Sequence, residues 1–160
     1  MAALMFLKGV MKKMKVLNEM SMSFESRSAN ESFARTAVAA FASQLDPTVG
    51  ELNEIRTAVS EAVTNCVVHA YRDTIGSISV NAKITEGNTL TIKIRDKGCG
   101  IEDVSRAMEP LYTTAPEEER AGLGFAVMQS FTDKLSVRSK PGRGTTVTLV
   151  KRLSPRLSDV

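Results

Sequence analysis

The sequence contains no tryptophan, two tyrosines and a single histidine in 160 residues. With so few rings to stack on bases, and with 21 basic and 18 acidic residues interspersed, a net charge of +3 does not make a nucleic-acid surface. Two cysteines, Cys66 and Cys99, are too few and too far apart for a metal cluster or a disulfide framework. Both are expected as free thiols in a reducing cytosol. Long apolar runs are also missing. The opening "MAALMFLKGVMKKMK" places a short apolar stretch before its lysines, the reverse of a secretory signal, and is too short to cross a bilayer. It reads as a flexible N-terminal extension over residues 1–17. No Walker pattern, internal repeat or linker is present, so a nucleotide site would be of another kind and one domain is expected over 18–153, with a short tail over 154–160.

What the chain does have is periodicity. Met20, Met22 and Phe24 alternate with polar residues, which predicts a strand from about Asn18. "SANE" has the form of a capping box and opens a helix through Phe33, Ala37, Val38 and Phe41, on which Arg35 is expected at the exposed face. A second box, Thr48 to Glu51, starts a long helix with an apolar stripe of Leu52, Ile55, Val59, Ala62, Val63 and Cys66. Two alternating runs, "SISVNAKI" and "TLTIKIRD", joined by "TEGN", predict a hairpin. A glycine- and charge-rich loop with a short helix follows, then a helix over "FAVMQSF" and a closing hairpin around "PGRG". The order, roughly βααββ(loop)αββ, predicts an α+β two-layer sandwich of helices on a mostly antiparallel mixed sheet.

Four polar features break these patterns. Glu61 and Asn65 stand four residues apart on the margin of the apolar stripe, about 40° apart around the helix, and so point the same way. Asn65 offers an amide oxygen suited to a magnesium ion that keeps its waters and phosphate ligands, and Glu61 a carboxylate able to take a proton; a solvated helix edge is the ordinary alternative. In "IRDKGCGI" a strand ends at Asp96, an acceptor for an exocyclic amine. Gly98 and Gly100 after it allow close backbone approach to a flat ligand, or form a plain glycine turn. Gly122 and Gly124 precede a helix whose N-terminal amides suit phosphate. Thr145 and Thr146 open the last strand with two hydroxyls.

In this order the four features resemble the GHKL ATPase fold shared by gyrase, heat-shock chaperones, histidine kinases and mismatch-repair ATPases. The stretches "NESFARTAVAAFASQLDPTVGELNEIRTAVSEAVTN" and "PLYTTAPEEERAGLGFAVMQSF", with "GTT", are similar to the sporulation anti-sigma factors of Gram-positive spore formers, serine kinases that hold sigma-F inactive. The resemblance runs from about Asn18 to about Leu153. It implies ATP and Mg²⁺ as cofactors, Glu61 as general base, Asn65 as magnesium ligand and Asp96 as adenine reader. Gly98, Gly100, Gly122 and Gly124 would shape the pocket, Thr145 and Thr146 would stand near it, His69 would line its phosphate region, and Arg120 would reach the terminal phosphate. Arg35 would be the partner-binding arginine. The implied partners are sigma-F, an anti-anti-sigma factor phosphorylated on serine, and a second copy of the chain, in the cytoplasm, without nucleic acid or membrane. Two residues depart from the pattern: Ala70 stands where the family commonly has glycine, and Ala115 where it has a lid lysine. The only histidine lies within the nucleotide helix, which disfavours a sensor histidine kinase. A general-stress anti-sigma kinase and an ATP-dependent binding module without kinase activity remain as alternatives.

Overall fold

The computed structural model describes residues 14–110 and 123–155. Strand β1 (Val16–Glu25) starts two residues before Asn18, because Val16 already pairs with Thr85 of β2 (Ser77–Thr85). Met20, Met22 and Phe24 are turned to the core side, as the alternation predicts. Strands β3 (Thr89–Asp96), β4 (Lys134–Lys140) and β5 (Gly144–Arg152) complete a five-stranded sheet in the order β1-β2-β3-β5-β4. Every neighbouring pair is antiparallel, so the described sheet is not mixed.

Helices α1 (Ala29–Ala42) and α4 (Gly124–Phe131) each pack on α2 (Val49–Asn65), and their buried residues share one core with the inward residues of the sheet. A four-residue helix, α3 (Val104–Ala107), lies in the long loop. Ile55, Val59 and Val63 of α2 meet Ile78, Val80, Ile94 and Leu149 in the core. Full burial of each such side chain contributes about 1.5–3 kcal/mol. The outer face of the sheet presents Ser79, Lys93 and Arg95 to solvent. None of the described helices is long and apolar enough to cross a membrane.

The two capping boxes differ. Thr48 is extended (φ −64°, ψ 161°), its hydroxyl accepts from the Glu51 amide, and Glu51 accepts from the Thr48 amide. Ser28 is already helical (φ −57°, ψ −32°), and a side-chain cap needs extended backbone, so the expected Ser28 box does not form. Glu31 instead accepts from the Ser60 hydroxyl and pairs with Arg35 at 3.7 Å, tying α1 to α2. Phe33, within the helix as predicted, is exposed and rests edge-on against Phe24.

The α-helical pattern of α2 stops at Asn65. From Cys66 to Ala70 the helix widens into a π turn, closed by the Tyr71 amide donating to the Cys66 carbonyl at 3.2 Å. Such widenings concentrate at functional sites.

Candidate functional site

The π turn, the loop after β3, α3, the start of α4 and the start of β5 enclose a cavity of about 330 Å³. Asn65, His69, Asp96, Gly100, Gly124 and Thr145, drawn from four sequence features 80 residues apart, all line it. Glu61 does not line this cavity, yet it reaches the same end. A Cβ on Gly124 would stand 3.2 Å from Glu61 Oε2 and 3.3 Å from Asn65 Oδ1, so the carboxylate and the amide both face the first residue of α4. The positive end of that helix therefore adjoins the Glu61 and Asn65 side chains, an arrangement suited to phosphate.

Asp96 stands at the end of β3 and is 4% exposed. Its Oδ1 accepts from the amides of Gly98 at 2.9 Å and Thr145 at 3.2 Å, and its Oδ2 from the Cys66 thiol at 3.6 Å. Burial raises its pKa above the ordinary carboxylate value, and these three donors oppose the rise. Burial also pushes the Cys66 thiol well up, with the Asp96 charge adding to it, so the thiol stays protonated and remains a donor. Behind Asp96 the Tyr71 hydroxyl accepts from the Lys97 amide at 2.7 Å and donates to the Ser77 carbonyl at 2.8 Å.

The glycines act differently from expectation. Gly98 does not line the cavity: a Cβ there would fall 2.3 Å from the Ala70 carbonyl oxygen, so its smallness serves packing of the loop on the π turn. Gly100 does line it, in a left-handed conformation (φ +73°) against the Lys140 carbonyl. Thr145 lies beside Asp96, with its hydroxyl 2.8 Å from that of Ser139. Thr146 is a correction. Strand alternation turns it to the opposite face, between Arg95 and Arg138, away from the cavity. Arg120 and Gly122 fall outside the described residues, as does Ala115.

Arg35 is also placed otherwise than predicted. It is half-buried and turns toward α2, lining a polar cleft of about 230 Å³ with Arg56, Ser60 and Glu61. Its Nε is buried without a hydrogen bond. Glu61 thus separates this cleft from the larger cavity. Cys66, Phe125 and Arg106 line the cavity and were missed in the sequence. None of the three carried a local signal: Cys66 read as part of the apolar stripe of α2, Phe125 as an apolar residue of α4, and the Asp103 cap of α3 uses only the backbone amide of Arg106, at 3.0 Å.

Residues 24–151 match the model of the histidine kinase-like ATPase domain. The chain is 58% identical over 138 residues to the anti-sigma F factor of Thermoanaerobacter sp. (strain X514), covering 86% of this chain and 96% of that protein. It is 60% identical over 134 residues to the anti-sigma F factor of Caldanaerobacter subterraneus subsp. tengcongensis, covering 84% and 93%. A solved structure, the histidine kinase domain of the Erythrobacter litoralis EL346 blue-light activated histidine kinase, superposes with a TM-score of 0.53 at 20% identity. That match covers 77% of this chain and 61% of the kinase domain, and shows the shared fold. The chain belongs to the histidine kinase-like ATPase family and, within it, to the anti-sigma F factors.

Proposed function

We propose that this chain is an anti-sigma factor and protein serine kinase. In its ATP form it binds and inhibits sporulation sigma-F, and it phosphorylates a serine of an anti-anti-sigma factor. The observation that carries the chemistry is the meeting of Glu61 and Asn65 at the first residue of α4, at the end of a cavity whose other wall holds Asp96. Asp96 would accept a hydrogen bond from the adenine amine, and the amides at the start of α4, with His69 near Asn65, would hold the phosphates. The donor set fits Mg²⁺: hard oxygen donors, the Asn65 amide oxygen beside the Glu61 carboxylate, stand at the phosphate end and leave room for waters and phosphate ligands. Asn65 would hold that ion, which when bound neutralises phosphate charge.

In the transfer, the serine oxygen bonds to the terminal phosphorus as the bond to the bridging oxygen breaks and ADP leaves, while Glu61 takes the serine proton. Arg120 would stabilise the transferring oxygens. The polar cleft on the far side of Glu61 gives the acceptor serine a way in that the nucleotide does not block, and Arg35 in that cleft would meet the partner proteins. The relatives' shared name favours sigma-F as the sigma partner. A homodimer would be the binding form.

The deciding experiment is Glu61→Gln. ATP affinity by calorimetry and sigma binding are expected to survive, while single-turnover phosphorylation of the anti-anti-sigma protein falls by about 10²- to 10⁴-fold. A variant that phosphorylates at the wild-type rate would show that Glu61 is structural. Wild-type protein that binds ATP and sigma but labels no partner would favour a binding module without kinase activity.

A further inference from the structure

The Cys66 thiol plays no part in phosphoryl transfer as described, yet it is buried against the Asp96 carboxylate at the cavity wall. A carboxylate offers about four acceptor positions. Among the described residues, Asp96 spends two on Oδ1, on the Gly98 and Thr145 amides, and one on Oδ2, on the Cys66 thiol. One position, on Oδ2, is left for a ligand in the cavity that Asp96 and Cys66 both line. The two backbone donors fix where Oδ1 lies. The thiol decides which side of Oδ2 stays open.

We infer that Cys66 is a positioning residue that occupies one side of Asp96 Oδ2, leaving a single acceptor position matched to one exocyclic amine of a purine. This rests on the ATP reading above. Cys66 thereby sharpens the preference for a purine that carries the amine over one that lacks it.

The test uses the full chain with Mg²⁺ and two ligands: ATP, and purine riboside 5′-triphosphate, which lacks the exocyclic amine. Calorimetry is run on wild type, Cys66→Ala and Cys66→Ser. Cys66→Ala is expected to lose about two- to tenfold in ATP affinity, the range of one hydrogen bond, and to leave the amine-free ligand unaffected. Cys66→Ser, which keeps a donor, is expected to retain the wild-type preference for ATP. Equal weakening of both ligands in Cys66→Ala would make Cys66 a packing residue and overturn the inference, as would no change in either. Should Cys66→Ala fail to fold, the S–H stretching band of the buried thiol in wild-type protein decides. A shift on binding ATP but not on binding the amine-free ligand supports the inference, and the same response to both overturns it. Wild-type protein that binds neither triphosphate overturns the ATP reading itself, an outcome distinct from all of these.

Discussion

At the scale of single residues, the site is organised by what Gly124 omits. Glu61 Oε2 and Asn65 Oδ1 crowd the place where its Cβ would be, at 3.2 and 3.3 Å. Alanine's advantage over glycine, about 1 kcal/mol in a helix interior, is smaller at this first position, so Gly124→Ala is expected to leave the melting temperature little changed. Nucleotide affinity and phosphorylation are expected to fall, because the added methyl pushes the two side chains from the positions they share. Calorimetry beside a thermal melt separates the two effects. A variant that melts early and keeps its affinity would assign Gly124 to folding. Gly98 presents the opposite case, since its missing Cβ makes room for the Ala70 carbonyl rather than for a ligand.

At the scale of elements, the stripe Ile55, Val59, Ala62, Val63 predicted the buried face of α2, and the alternation in β1, β2 and β3 predicted their inward faces, because burial repeats with the geometry of each element. Glu61 and Asn65 were legible for the same reason. Their spacing aligns them on any α-helix. What was not legible depended on contacts between distant segments. Thr146 shares its chemistry with Thr145, and only the strand's alternation separates them. Arg35 seemed to belong to an exposed face until α2 was packed beside it. The Thr48 box also has a partner that local sequence hides. Glu51 Oε1 accepts from the amide and the hydroxyl of Ser154, both at 2.8 Å, so the start of α2 holds the segment that follows β5. Burial pushes the Glu51 pKa up, but its hydrogen bonds to Thr48 and Ser154 outweigh this and hold it below the ordinary value of 4.5. A carboxylate with a lowered folded pKa adds stability in full above its unfolded pKa and loses it as pH falls through the folded one. Glu51→Gln is therefore expected to cost about 0.5–2 kcal/mol at pH 7, the range of a lost cap. The gap from wild type should close as pH drops below 4.5, followed by denaturant titration at several pH values. A gap independent of pH would mean that the Glu51 charge adds nothing.

At the scale of the whole molecule, the two edges of the sheet differ in kind. The β4 edge carries Lys134, Arg138 and Lys140, charges of the sort that keep an open strand from pairing with another. The β1 edge exposes Met14, Val16 and Leu17. That edge is the better candidate for joining two copies of the chain. Leu17→Lys is expected to shift sedimentation toward the monomer and to leave ATP affinity intact, since β1 contributes nothing to the cavity. Unchanged association would place the contact elsewhere. The π turn carries a different consequence for the molecule. A regular helix keeps one phase along its length, so the residues that bury its stripe also dictate where every later side chain aims. Glu61, Asn65 and His69 keep the regular four-residue spacing, and the widening over Cys66–Ala70 shifts the phase only at its far end, where Ala70 lines the cavity and its carbonyl accepts from the Cys99 amide at 3.1 Å. A one-residue deletion in the turn would leave the stripe of α2 in register and swing the Ala70 carbonyl away from the loop after β3.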